Sequence, residues 1–161
     1  MQLLKDADAS LEPLRGKTVA VLGYGNQGQA QALNLRDSGI QVIVGNRDDL
    51  YRERAILDGF VPLTIRQAAE AGDILLILTT DESQPLIWAE EIAPGVKPGK
   101  TLVWASGYNV CFDLIPLPKD VDVIMVAPRM IGVDVRNLFV AGPARWRNLP
   151  STRMSRAMRV K

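Results

Sequence analysis

Apolar residues fall along the chain in short blocks, and the blocks alternate in kind. Lys17–Leu22 is a β-rich run, Gln41–Val44 is another, and Asp73–Thr79 is continuously apolar in the manner of a strand buried on both faces. Thr101–Ala105 and Val121–Ala127 read as two more strands. The segments between them have helical chemistry. Asn26–Ser38 carries Ala30, Ala32, Leu33 and Leu35 and stops at Gly39. Asp48 and Asp49 lead a charged helix over Leu50–Asp58, and Thr64 is placed to cap Ile65–Ala71. Ser83–Ile92 reads as a helix with Pro85 near its first turn. Strands alternating with helices predict right-handed crossovers on a doubly wound, mainly parallel sheet with helices on both faces, an α/β fold. Residues 1–15 show no clear period, and order is expected to weaken after Ile131. The domain is therefore expected over 1–143, with 144–161 a poorly ordered basic tail.

Between the first strand and the first helix stands Gly23-Tyr24-Gly25-Asn26-Gln27-Gly28. In that setting G-x-G-x-x-G is the fingerprint of a Rossmann-like dinucleotide site. Gly23 permits the tight turn, and Gly25 lets a pyrophosphate approach the backbone. Gly28 lets the helix pack closely on the strand, as Ala32 would one turn later. Free amides at the helix start would hold the phosphates. A plain glycine turn would use the same residue types, but the strand-to-helix position favours the binding reading. The second strand should end at the adenosine ribose, and here the chain reads Gly45-Asn46-Arg47-Asp48-Asp49. Arg47 suits a 2′-phosphate and so NADP. Asp48 or Asp49 suits ribose hydroxyls and so NAD, or Asp48 caps the following helix while Arg47 is solvated.

Composition narrows the classes further. The chain has 161 residues, 47% hydrophobic and 23% charged, which suits one soluble domain and excludes disorder or collagen-like repetition. Its longest strongly apolar run, Ile74–Leu78, is far short of the roughly 20 residues of a spanning helix. The start, Met1-Gln2-Leu3-Leu4-Lys5-Asp6, lacks the plan of a secretory signal. A lone cysteine, Cys111, makes no internal disulfide, so a cytoplasmic location is expected and the thiol is read as buried or inert. With no histidine, the Ser-His-Asp triad and every His-containing zinc site are excluded. Six of the 19 cations lie beyond Ala144 with no acid, leaving 13 cations against all 18 acids in the body. Arg145-Trp146-Arg147 has the residue types of nucleic-acid contacts, but the acidic body speaks against that partner.

Several stretches, in order, resemble the nucleotide-binding domain of the ketol-acid reductoisomerases (acetohydroxy acid isomeroreductases). They are Val19–Gly28, Ala30–Gly39, Asp58-Gly59-Phe60, Asp81–Pro85, Glu91–Pro94 and Pro118–Pro128. The resemblance runs from about Lys5 to about Gly142. It implies NADPH or NADH as coenzyme, a 2-acetolactate-like substrate and an Mg²⁺-dependent alkyl migration in branched-chain amino acid biosynthesis. Three departures stand out. The family's His-Gly pair is Ser106-Gly107 here, followed by Tyr108-Asn109. Its Pro-Lys-Gly-Pro-Gly-His run is Pro128-Arg129-Met130-Ile131-Gly132-Val133, which keeps a cation but not a lysine. The helical domain that carries the family's metal-binding carboxylates is not expected in this chain.

Glu90-Glu91 would point to different helix faces, and Asp81-Glu82 suit a helix dipole, so no metal site is expected from either pair. Thr79, Thr80 and Asp81 follow the third long strand at the carboxyl edge of the sheet, where ligands lie in such folds. Thr80 and Gly107 are cofactor candidates, and Pro85 matches the family's residue beside the coenzyme. Ser106 is the substrate-side, catalytic candidate, against the reading of an ordinary turn serine. The chain is thus expected to bind dinucleotide as a homodimer or with a partner chain, and to turn over little by itself. A non-catalytic assembly module, or metal-free reduction of another carbonyl or imine, are the alternatives.

Overall fold

The structure, a computed structural model, describes residues 9–142 and the backbone of Ala157–Arg159. Five parallel strands form the sheet: β1 (Thr18–Leu22), β2 (Gln41–Gly45), β3 (Ile74–Ile77), β4 (Thr101–Trp104) and β5 (Asp122–Val126). A short strand, β6 (Ala157–Arg159), adds to β5 antiparallel, with Val126 opposite Ala157, so the order is β2-β1-β3-β4-β5-β6. β1 lies between β2 and β3, with Val19 opposite both Val42 and Ile74. Helix α1 (Asn26–Asp37) leaves β1 on one face. The connections through α2 (Leu50–Leu57), α3 (Ile65–Ala71) and α4 (Gln84–Ile87) follow β2 and β3, and the single turn α5 (Tyr108–Cys111) follows β4. The strand order reverses between β1 and β3, which opens the crevice where ligands of such sheets lie.

Alternation along the strands sorts the core into two layers. Val19 and Val21 pack with Ala32, Val44, Phe60, Leu76 and Val103. Ala20 and Leu22 pack on the other face with Ile65, Ala68, Leu75, Trp88, Leu102 and Trp104. Burial on both faces is why the strands read as unbroken apolar runs. Thr64 caps α3 in a full capping box, its hydroxyl taking the Gln67 amide while the Gln67 side chain takes the Thr64 amide. The far end of α3 is closed by a lysine. Buried Lys100 donates to the carbonyls of Ala69, Glu70 and Gly72. Burial pulls its ammonium below the usual lysine range. Beside α1, a cavity of about 490 Å³ is floored by Val19, Ile74, Leu76, Val103, Ile124 and Val126.

Three expectations need correction. Ser83–Ile92 is not one α-helix: α4 is one turn and passes into a π-turn over Trp88–Ile92. A 3₁₀ turn, Glu12–Leu14, interrupts the featureless lead-in, and Leu14 packs against the core. Order does not fade after Ile131, because α6 (Gly132–Ala141) follows β5 and lies along α1. Its Gly132 meets α1 so closely that a Cβ there would stand 1.7 Å from the Asn26 carbonyl oxygen. Within the basic tail, Ala157–Arg159 is strand; the rest of that expectation, with the Arg145-Trp146-Arg147 run, lies outside the described residues.

Candidate functional site

The glycine run forms the turn from β1 into α1. Gly23 has φ +97°, the left-handed region, and a Cβ would meet the Thr79 amide at 3.0 Å. At Gly28 a Cβ would stand 1.9 Å from the Gly23 carbonyl oxygen, so helix and turn meet only through glycine. Gly25 is the N-cap and faces open space, with nothing within 4 Å of where a Cβ would stand. The amides are not all alike. Gly23 N–H donates to the Gly45 carbonyl at 2.8 Å, and Tyr24 N–H donates to Asn46 Oδ1 at 2.9 Å. Those two shape the turn, which leaves the first-turn amides of α1 from Asn26 onward without intrahelical acceptors. With the helix dipole they form a seat for an anion. A diphosphate fits this cradle: no side chain caps it and its walls admit none.

Tyr24 faces inward and is fully buried. Its hydroxyl donates to Asp58 Oδ2 at 2.9 Å, an oxygen that also accepts from Gln29 at 2.8 Å. Burial first, then Asp58, push its phenol far above the ordinary range. Gln27 donates to the Met130 carbonyl at 2.9 Å, binding the loop before α6 to the same turn.

At the end of β2 a cavity of about 330 Å³ is lined by Asn46, Arg47, Asp48, Arg52, Thr64 and Ile65, with Glu91 across it. The cap of α2 is Asp49 rather than Asp48. It accepts from the amides of Tyr51 and Arg52, and Arg47 Nε pairs with it at 2.8 Å. Arg47 is thus ion-paired, yet its side chain is 74% exposed and open to a second anion. Burial works against the Asp49 charge, but Arg47, the two amides and Asn46 outweigh it and hold its carboxyl below the usual range. Asp48 is exposed beside the cavity.

The other candidates gather at the carboxyl ends of β3 and β4. Ser106 donates to Asp81 Oδ2 at 2.9 Å and accepts from the Tyr108 amide at 3.3 Å. Gly107 is the N-cap of α5. Thr80 is exposed, its hydroxyl 3.1 Å from that of Ser83, and Pro85 lies in the first turn of α4. Beneath them, Gln84 accepts from Trp104 Nε1 at 3.2 Å and from Asn109 Nδ2 at 2.9 Å, and donates to the Thr79 carbonyl. Asn109 also holds the Asp81 carbonyl at 2.9 Å. Two buried oxygens, Thr79 Oγ1 and Asn109 Oδ1, have no partner. Cys111 is exposed, so of the buried-or-inert alternatives burial does not hold, since α5 is a single turn on the surface. Asn46, Asp58, Gln84 and Asn109 were missed as site residues. All but Asn46 and Asn109 stand inside stretches that carried the family resemblance. Among the described residues, no three His, Cys, Asp or Glu side chains converge to hold a metal ion, so the donor set for Mg²⁺ is not met there.

The sequence matches the family described as acetohydroxy acid isomeroreductase, NADPH-binding domain, over residues 13–146. The NADP(+) ketol-acid reductoisomerase of Pyrobaculum aerophilum is 50% identical over 142 residues, 88% of this chain and 43% of that protein. That of Methanopyrus kandleri is 53% identical over 138 residues, 85% of this chain and 42% of that protein. An NADH-preferring ketol-acid reductoisomerase from an uncultured archean superposes with a TM-score of 0.86 at 47% identity, covering 88% of this chain and 45% of its own. This chain thus spans less than half the length of these relatives. Fold, glycine turn and an extended match converge, and the chain belongs to the acetohydroxy acid isomeroreductase family as its NAD(P)H-binding domain.

Proposed function

We propose that this chain holds the reduced coenzyme of a ketol-acid reductoisomerase reaction on a 2-acetolactate-like substrate. The carrying observation is the turn at Gly23–Gly28, where a Cβ at Gly28 would stand 1.9 Å from the Gly23 carbonyl oxygen and no side chain caps the first-turn amides of α1. In this reading the amides from Gly25 to Gly28 take the diphosphate, while Gly23 and Tyr24 shape the turn. Arg47 and Asp48 border the adenosine ribose, and the exposed guanidinium of Arg47 favours NADP. Thr80, Pro85 and Gly107 border the nicotinamide half. The coenzyme, when bound, supplies the hydride.

Ser106 is the substrate-side residue of this proposal. Its proton is committed to Asp81, so the hydroxyl positions a substrate oxygen by accepting a hydrogen bond and does not shuttle protons near neutrality. Since no carboxylate cluster for Mg²⁺ forms among the described residues, the metal-dependent migration is assigned to parts of the relatives that this chain does not match. A cytoplasmic site and pairing, with a second copy or another chain, complete the proposal. Exposed Tyr108, Phe112 and Leu114 beside the site support the pairing. Calorimetric titration with NADPH and NADH tests the binding. An assay with 2-acetolactate and Mg²⁺ is expected to show little or no turnover by this chain alone. Absence of heat with both coenzymes, on folded protein, would overturn the binding geometry; robust turnover would overturn the division of labour.

A further inference from the structure

We propose that Asn46 is a positioning residue that sets the diphosphate seat and the ribose end in register, and thereby tunes the choice between NADPH and NADH. The inference rests on the coenzyme-binding reading and deepens it. Asn46 is buried, only 5% exposed, and its carboxamide faces two loops at once. Oδ1 accepts from the Tyr24 amide at 2.9 Å, inside the glycine turn. Nδ2 donates to the Arg47 carbonyl and to Asp49 Oδ1, each at 2.8 Å, inside the ribose loop. Its main chain is fixed as well: the amide donates to the Leu63 carbonyl at 3.1 Å, and its carbonyl accepts from Arg52 at 3.2 Å.

Only a carboxamide satisfies this arrangement. One end meets a donor and the other meets two acceptors, so the orientation is fixed by chemistry. An aspartate would face two oxygens, and an aliphatic residue would strand the Tyr24 amide in the interior. The chain of contacts continues in both directions. Through Asp49, Asn46 grips the N-terminus of α2 and the partner of Arg47. Through Tyr24, whose hydroxyl reaches Asp58 at the C-cap of α2, the same turn is tied to the other end of that helix. The glycine turn is therefore tied to both ends of α2. Arg47 already offers a 2′-phosphate its exposed terminal N–H groups, and its Nε–H joins them only when Asp49 releases it; Asn46 holds Asp49 in place.

The test uses the full chain, titrated calorimetrically with NADPH and NADH separately, and amide hydrogen exchange at Tyr24. In Asn46→Ala the Tyr24 amide exchanges fast. NADH affinity falls about tenfold, while NADPH falls less because Arg47 is freed, so preference moves toward NADPH. Asn46→Asp is the second variant. It keeps the acceptor for Tyr24, whose amide stays protected, but its carboxylate repels a 2′-phosphate and preference moves toward NADH. A merely structural role would lower both affinities alike. If the wild type binds and neither variant shifts the NADPH-to-NADH ratio beyond twofold, the inference is overturned. If the wild type binds neither coenzyme, the proposed function itself has failed.

Discussion

Gly28 shows at the scale of one residue what the turn demands. A methyl group there would stand 1.9 Å from the Gly23 carbonyl oxygen. Gly28→Ala is expected to cost about 1–3 kcal/mol or more by overpacking and to abolish coenzyme heat, read by urea denaturation and calorimetry. Tyr24→Phe tests the buried phenol. The folded pKa is raised above the ordinary 10.0, so its contribution is complete below that value and is lost as pH rises above it. The variant should lose about 1 kcal/mol near neutrality and show less of that alkaline decline, measured as denaturation midpoints against pH. Glycines were legible in the sequence because a backbone need is written in the residue's identity. Asn46, Asn109 and Lys100 were not, because the partners Tyr24, Gln84 and Ala69 that join them to the site or the core are 22, 25 and 31 positions away.

Helix α6 sets the lesson among the elements. Its run Gly132-Val-Asp-Val-Arg-Asn-Leu-Phe-Val-Ala is poor in strong helix formers and opens on glycine, so local propensity gave no signal. Packing on α1 decides instead: Gly132 touches the Asn26 carbonyl, and Arg136 reaches Asn34 at 2.9 Å and Asp37 at 2.6 Å. Gly132→Ala should therefore push the helices apart and lower the urea midpoint by the equivalent of about 1–3 kcal/mol or more. The Asp37 carboxyl is held below its ordinary 3.8 by Arg136. Its stabilisation is present above that value and is lost as pH falls below it, through the lower folded value. In Arg136→Ala, acid denaturation curves should lose that component while the alkaline limb stays put. The strands were legible throughout, since burial on both faces writes itself as an apolar run; the π-turn after α4 was not, because its residues Trp88–Ile92 suit an α-helix equally.

For the molecule as a whole, the sheet order β2-β1-β3-β4-β5-β6 places the glycine turn, the ribose loop and the Ser106–Asp81 pair along one edge. Elsewhere the cavity beside α1 exposes Val126 and Ile124 of the sheet floor in part. With the exposed aromatics near Ser106, it leads us to expect a dimer in sedimentation velocity; a monomer at every concentration would remove that part of the proposal. The parallel core followed from alternation of strand and helix, whereas the antiparallel β6 did not, because three residues in a basic run carry no period. One last consequence concerns light. Trp104 ends β4, almost wholly buried, with its indole N–H fixed on Gln84 and Trp88 at 5.8 Å between ring centres. Indole emission overlaps the absorption of a reduced pyridine ring, so occupancy of the edge beside Trp104 should quench ultraviolet fluorescence and brighten the blue, with no label attached.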